Sequence, residues 1–236
     1  MTAVDTPRGS ILGTRVQRVE DAEFLTSGAV YTDDIVDERL AGAMRVTFVR
    51  APVAHARITS IDTSAARSAE GCVGVITAED MSDIPPPAPS MPMFPAGMAQ
   101  SLLATDTVRY VGEPVAAVIT EGRYRGEDVA ELVEVDYEPL PVLVDPVEAV
   151  TGNTLLFPAL GSNIVAAKEP EPGDGIFEGC EVVITRELVN QRVAAAPMEV
   201  RGAAAVWGED DRLTTWVPNQ GAQGAQAGLA AMLGLT

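Results

Sequence analysis

The sequence predicts an α+β fold, with short helices set between strands in a first part and a β-rich unit opening after a turn-rich connector. Three observations predict it. Blocks of β-branched and aromatic residues recur at 40–50, 56–62, 72–77, 107–120 and 133–137, and such blocks read as strands. Only two early stretches, 63–70 and 123–132, have the composition of helices, and both are short. Residues 146–175 then concentrate turn chemistry in Thr151-Gly-Asn153, Pro158, Gly161-Ser-Asn163 and Glu169-Pro-Glu-Pro-Gly-Asp-Gly175. A hydrophobic content of 47% is enough for a core, and 21% charged residues is not the composition of a disordered chain.

In chain order, residues 1–23 are polar and loop-like, and 24–34 are turn-rich around Gly28. The strand at 40–50 stops at Ala51-Pro52, because proline lacks a ladder donor. Residues 56–62 alternate and form a second strand. The helix at 63–70 has a Thr/Ser start and ends before Gly71. Thr77-Ala-Glu-Asp80 has the form of a capping box and opens a short helical turn after the 72–77 strand. Residues 84–100 hold most of the proline and methionine, which excludes helix and ladder strand. A long surface loop is expected there, with polyproline docking as the alternative. Residues 107–120 split into two strand pieces about a Gly112-Glu-Pro114 corner, and 115–119 is apolar throughout, as a central strand requires. After the connector, strands are expected at 182–193, 200–207 and 213–217, followed by a small-residue helix. Those strands and one helix would leave a broad sheet face bare.

Composition also excludes several functions. A formal charge of -18 argues against a nucleic-acid backbone or an anionic membrane as partner, so no nucleic acid is expected. No run approaches the ~18 apolar residues of a membrane span. The N-terminus lacks an apolar stretch of signal-peptide type, so a cytoplasmic location is expected. Cys72 and Cys180 are isolated and read as buried thiols, with neither a disulfide framework nor a zinc site. His55 is the only histidine, which rules out a His-rich metal site or a Ser-His triad; it is expected to satisfy backbone groups near the Pro52 turn. Asp33 and Asp34 suit a turn better than a metal pair. Glu199 lies in an apolar stretch, where a lone carboxylate is costly, so Arg201, Arg192 or a backbone donor should pair with it.

The loop Pro218-Asn-Gln-Gly221 sits where the 213–217 strand hands over to a helix N-terminus. Such a junction presents unpaired backbone N–H groups and a positive dipole end to an anionic ligand. Gly221, Gly224 and Gly228 form a GxxGxxxG, but this is not a phosphate loop, lacking the Lys-Ser/Thr of a P-loop; close helix packing is its expected role.

Several blocks, in order, carry a family resemblance. They are Arg18-Val-Glu-Asp-Ala-Glu-Phe-Leu-Thr26 with Tyr31-Thr-Asp-Asp34, then Phe48-Val-Arg-Ala-Pro-Val-Ala-His-Ala-Arg-Ile58, Ile61-Asp62 and Gly74-Val-Ile-Thr-Ala-Glu-Asp80. Val108-Arg-Tyr-Val-Gly-Glu-Pro-Val-Ala-Ala-Val118 and Val133-Glu-Val-Asp-Tyr-Glu-Pro-Leu-Pro141 follow. Gln191-Arg with Pro197-Met-Glu199, and Thr215-Trp-Val-Pro-Asn-Gln220, close the series. The sequence resembles the large, molybdopterin-binding subunit of the xanthine dehydrogenase/aldehyde oxidase family, with its carbon monoxide dehydrogenase large-chain branch. It departs from the family pattern at Thr120–Asp128, where an Ala-rich helix start is usual, and at Thr26-Ser-Gly28, a residue short.

The resemblance implies an a/b hammerhead domain over residues 1–145, a linker over 146–175, and the truncated start of a molybdenum-cofactor-binding domain over 176–236. It implies oxidative hydroxylation of an aldehyde, an N-heterocycle or a CO-type substrate. Electrons would pass to [2Fe-2S] and FAD groups on a small and a medium partner subunit. Gln220 matches the family glutamine that hydrogen-bonds the molybdenum centre, flanked by Asn219 and Gly221 as further cofactor contacts. The plainer alternative is a loop glutamine that caps the next helix. Family subunits run on for several hundred residues and carry the glutamate base and most pterin contacts there. No catalytic residue and no protein-ligated metal is therefore expected in this chain, and turnover in isolation is not expected. Either the remainder of the large subunit or a second copy would complete it. The alternative is a non-catalytic interaction module or truncated remnant that pairs with a separate chain.

Overall fold

A computed structural model of the chain describes residues 18–89, 91, 93–167 and 175–235. In chain order its elements are α1 (Asp21–Thr26), β1 (Arg45–Arg50), β2 (Ala56–Asp62), α2 (Ser64–Arg67), β3 (Cys72–Thr77), β4 (Thr107–Val108), β5 (Pro114–Thr120), α3 (Gly126–Ala130), β6 (Glu134–Pro139), α4 (Pro146–Thr151), β7 (Ala204–Trp207), β8 (Leu213–Trp216) and α5 (Ala222–Leu233), joined by loops and short 3-10 turns. Two compact units result, and they interleave along the chain. One is drawn from Met1–Ala41 and Val193–Pro218, the other from Gly42–Arg192 and Asn219–Thr236.

The larger unit holds two three-stranded antiparallel sheets, ordered β1-β5-β3 and β4-β2-β6. The apolar run 115–119 becomes the central strand β5, as its composition requires. Val115, Ala116 and Val118 are fully buried, and so is Thr120 at the end of the strand. The Gly112-Glu113-Pro114 corner separates β4 from β5; Pro114 opens the strand, where its missing donor costs nothing in the ladder.

The core lies between the sheets. One cluster joins Val75, Ala116 and Val118 to Ala66 of α2, Val129 of α3 and Val133. A second joins Ala51, Ala56, Ala104, Val108 and Val115. Ile61 and Val135 pack against both clusters, so the core is continuous. Burying each valine contributes about 1.5–3 kcal/mol relative to exposure.

Turn and cap chemistry closes the unit. Asp80 accepts from both N and Oγ1 of Thr77, at 2.8 and 3.0 Å, which is the bond the capping pattern foretold. The sole histidine is buried, and its Nδ1–H donates to Pro141 O at 2.6 Å, so its partner lies beyond β6 rather than near Pro52. Gly126 opens α3 because no side chain fits there. A Cβ at this position would stand 2.0 Å from Thr47 Oγ1 on β1.

The first half of the 146–175 stretch is tied down. Asp145 caps α4 by accepting from Val147 N and Glu148 N at 2.7 and 3.0 Å, with Pro146 at the first helical position. Asn163 then links three places: Oδ1 accepts from Leu156 N at 2.9 Å, while Nδ2 donates to Thr154 O at 2.7 Å and Ala149 O at 3.0 Å. Arg109 lies over the Phe157 ring at 4.6 Å and donates to Leu156 O at 2.9 Å. Residues 168–174 of this stretch fall outside the described residues.

The smaller unit holds α1, the 3-10 turns at Thr32–Asp34 and Glu38–Leu40, and the β7–β8 hairpin. In the hairpin, Ala204 pairs with Trp216 and Trp207 with Leu213. Asp211 turns it at φ 61, a left-handed conformation that aspartate tolerates, and its carboxylate accepts from Trp207 Nε1 at 2.8 Å.

Further expectations differ from the structure, beside the His55 partner and the helix α4 formed within the expected connector. A helix, α1, forms at Asp21–Thr26 inside a stretch read as loop; Asp21 and Glu23 in its first turn complement the helix dipole. No strand forms over 182–193. Among the described residues, no backbone group from 181 to 203 bonds to another backbone group. The β-branched pattern is there, but a strand exists only by pairing, and among the described residues no other strand lies alongside. Neither cysteine is fully buried: Cys72 is half-buried, and Cys180 is exposed because it borders this unpaired run. Glycines 221, 224 and 228 are not packing contacts, since a Cβ at any of them would meet nothing within 4 Å.

Gly126→Ala should lower stability by about 1–3 kcal/mol through overpacking against Thr47, read as a fall in urea midpoint. Adding Thr47→Ala should recover part of that loss, which an intrinsic helix effect of the alanine would not allow.

Candidate cofactor-binding site

The candidate loop begins where β8 ends at Trp216. Within the smaller unit two long-range contacts hold the hairpin. Glu199 Oε1 accepts from Thr32 N at 2.9 Å and from Thr32 Oγ1 at 3.1 Å. The carboxylate expected to need a partner therefore uses a backbone donor and a hydroxyl rather than Arg192 or Arg201. The second contact is a stack. The Arg39 guanidinium lies 4.8 Å over the Trp216 ring, in the range of a cation–π interaction. Asp37 holds that guanidinium from Nε at 2.9 Å and Nη2 at 2.6 Å, and also accepts from Arg39 N at 2.9 Å. These bonds, the side-chain pair first, hold the exposed Asp37 carboxyl down to about 2.

Beyond Trp216 the chain runs through Pro218 to an Asx turn, in which Asn219 Oδ1 accepts from Gly221 N at 2.8 Å. The structure separates the three candidate residues by this bond. Asn219 and Gly221 use an oxygen and an N–H on each other, and the Gln220 side chain lies outside that bond; all three residues are exposed. Gly221 is the N-cap of α5 in an extended conformation, with φ -176, and no side chain caps the helix. The first helical bond is Ala225 N to Gly221 O at 3.1 Å. The N–H groups of Ala222, Gln223 and Gly224 consequently lack intrahelical acceptors. Among the described residues no side chain caps α5, and Gln220 is not its cap in this structure.

Chemically, this is one exposed amide followed by three N–H donors at a positive helix end. Such a donor set fits an anionic, oxygen-rich ligand on one side only. Asp33 and Asp34 lie in an exposed 3-10 turn. Among the described residues no group of three His, Cys, Asp or Glu side chains is placed to hold a metal ion. The Thr32–Glu199 and Arg39–Trp216 contacts were not legible in the sequence, since their partners stand more than 160 residues apart and carry no shared motif.

Residues 26–141 match the model of the aldehyde oxidase and xanthine dehydrogenase a/b hammerhead domain. Residues 156–236 match the molybdopterin cofactor-binding domain. The chain belongs to the xanthine dehydrogenase/aldehyde oxidase family. Among curated relatives, the nicotine 6-hydroxylase large subunit of Paenarthrobacter nicotinovorans is 39% identical over 89% of this chain and 26% of its own length. The carbon monoxide dehydrogenase large chain of Afipia carboxidovorans is 35% identical over 84% of this chain and 27% of its own. Among solved structures, quinoline 2-oxidoreductase from Pseudomonas putida 86 superposes with a TM-score of 0.80 at 32% identity, covering 94% of this chain and 29% of that one. The chain thus spans about a quarter of the length of the curated relatives it matches. The fold is α+β, a hammerhead domain followed by the start of a molybdenum-cofactor-binding domain. No helix among the described residues is long and apolar enough to cross a membrane.

The Asp37–Arg39 grip sets a pH dependence. The folded carboxyl lies below its ordinary value of 3.8, so its contribution is fully present above 3.8 and is lost as pH falls through about 2. In a Trp207→Phe background, Trp216 emission should therefore change with a midpoint near that value and show no such step in Asp37→Asn.

Proposed function

We propose that this chain is the N-terminal part of a molybdenum hydroxylase large subunit, with Gln220 as a contact to the molybdenum cofactor. The observation that carries the reading is the exposed Gln220 amide directly ahead of the uncapped first turn of α5, inside the stretch that matches the molybdopterin-binding family. An amide suits this place because it donates and accepts at a ligand oxygen without adding charge. Asn219 supports it indirectly, by fixing the Gly221 N–H and so the turn that displays Gln220. Ala222, Gln223 and Gly224 would donate backbone N–H groups to an anionic part of the same ligand.

When bound, the cofactor supplies the redox chemistry of oxidative hydroxylation, on an aldehyde, an N-heterocycle or a CO-type substrate. This chain's own part is to bind and orient. Its residues supply one wall of the site, and the base that works on substrate lies in polypeptide beyond these residues. The [2Fe-2S] and FAD groups that take electrons away belong to a small and a medium partner subunit. We assign residues 1–145 to the hammerhead domain, 146–175 to a connector and 176–236 to the opening of the cofactor domain. A cytoplasmic setting suits two cysteines that are both free thiols.

Two experiments test the reading. The purified 236-residue chain should retain no stoichiometric molybdenum and show no substrate-dependent dye reduction; finding both overturns the division of labour. In the enzyme assembled with polypeptide that completes the cofactor domain, Gln220→Ala should lower molybdenum content or activity by about tenfold or more, the scale of losing an orienting contact to a metal centre. An unchanged metal content and rate would remove Gln220 from the site.

A further inference from the structure

We propose that Arg39 is a positioning residue for Gln220; this rests on the reading of Gln220 as a cofactor contact. By stacking on Trp216, Arg39 holds the strand end from which the loop carrying Gln220 departs. Trp216 is the last residue of β8, and it pairs with Ala204 in the outermost rung of the hairpin. A terminal rung has ladder on one side only, and strand ends of that kind fray. The guanidinium 4.8 Å over the indole supplies a hold there that the ladder does not.

Arg39 is itself fixed. Asp37 is the N-cap of the 3-10 turn Glu38–Leu40 and accepts from Arg39 N at 2.9 Å, which sets the backbone. The same carboxylate accepts from Nε at 2.9 Å and Nη2 at 2.6 Å, which sets the plane of the guanidinium. An arginine ordinarily gives up rotamer freedom to make a stack. Here the carboxylate has already removed that freedom, so the indole meets a rigid partner.

The chain between the stack and the amide can carry the setting onward. The proline that follows Val217 restricts it to extended conformations. The ring of Pro218 fixes its own φ. Asn219 is held in the Asx turn, its Oδ1 accepting from Gly221 N at 2.8 Å. A displacement of Trp216 therefore passes through three restricted residues to Gln220. The Glu199–Thr32 contact is different: it holds the chain five residues ahead of β7, at the entry to the hairpin. Of the two holds, only the stack adjoins Gln220 in the chain.

The test begins on the 236-residue chain without cofactor. The Gly221 amide reports the Asx turn. The Gly208 amide, bonded to Arg212 O at 2.8 Å in the turn of the same hairpin, is the internal reference. In Arg39→Gln, Gly221 should exchange about two- to fivefold faster relative to Gly208, the scale of losing an exposed cation–π contact. Arg39→Lys, which keeps a cation for the ring, should stay close to the parent ratio. In the enzyme assembled with polypeptide that completes the cofactor domain, Arg39→Gln should lower molybdenum content by about the same factor. In a Gln220→Ala background it should cost nothing further. An unaltered Gly221-to-Gly208 ratio in Arg39→Gln overturns the proposal, since the stack then serves the hairpin alone. So does an Arg39→Lys chain that behaves like Arg39→Gln, and so does any further loss in the Gln220→Ala background. If Gln220→Ala is without effect, the cofactor reading fails and this role for Arg39 fails with it. The two failures are distinguishable, because in the earlier outcomes Gln220→Ala keeps its effect.

Discussion

The backbone pairing around β5 is the constraint on which the larger unit depends. Both other strands of its sheet, β1 and β3, bond to β5 and not to each other. Its side chains must therefore be small and apolar on both faces, because helices and the second sheet cover one side and flanking strands crowd the rest. Val115, Ala116, Ala117 and Val118 meet that demand. Larger residues would push the sheets apart, and polar ones would strand a hydrogen-bonding group in the core. The close approach of Gly126 to Thr47 follows from the same economy of volume, since α3 lies directly against β1 and β5.

That strand was also the most legible part of the sequence. An uninterrupted apolar run after a Gly-Glu-Pro corner has few readings, and its neighbours alternate in the manner of half-buried strands. Legibility fell where the determining partner was distant or absent. The α1 helix has a weak apolar period and was hidden by flanking polar residues. The α4 helix had its signature in plain view, Asp145 then Pro146 with Gly152 beyond, but the surrounding turn residues outweighed it. The 182–193 stretch shows the opposite failure. Its composition is that of a strand, yet composition describes only one side of a ladder.

For the candidate site, the sequence showed where a ligand corner should fall but not which of its residues would be left over. The Asx bond decides that. It takes Asn219 Oδ1 and the Gly221 N–H out of play and leaves the Gln220 side chain outside that bond. The hairpin that precedes this turn is in turn held by residues far upstream, Thr32 through Glu199 and Arg39 through Trp216. Met1–Ala41 and Val193–Pro218 thus form one structural unit although the hammerhead strands separate them in sequence.

Asn163 carries a further consequence, for the chemical ageing of the protein. Two of its three contacts are donations from the amide nitrogen to the carbonyls of Thr154 and Ala149. Spontaneous hydrolysis of that amide to a carboxylate would replace both donors with an oxygen facing two other oxygens. The loop that carries the Arg109–Phe157 stack would then be pushed open by a reaction that alters a single functional group. The residue after it, Ile164, slows that reaction, because its branched Cβ hinders attack of the following backbone nitrogen on the side-chain amide. The connector is therefore built around an amide whose hydrolysis would unmake it, with a bulky neighbour set against that decay.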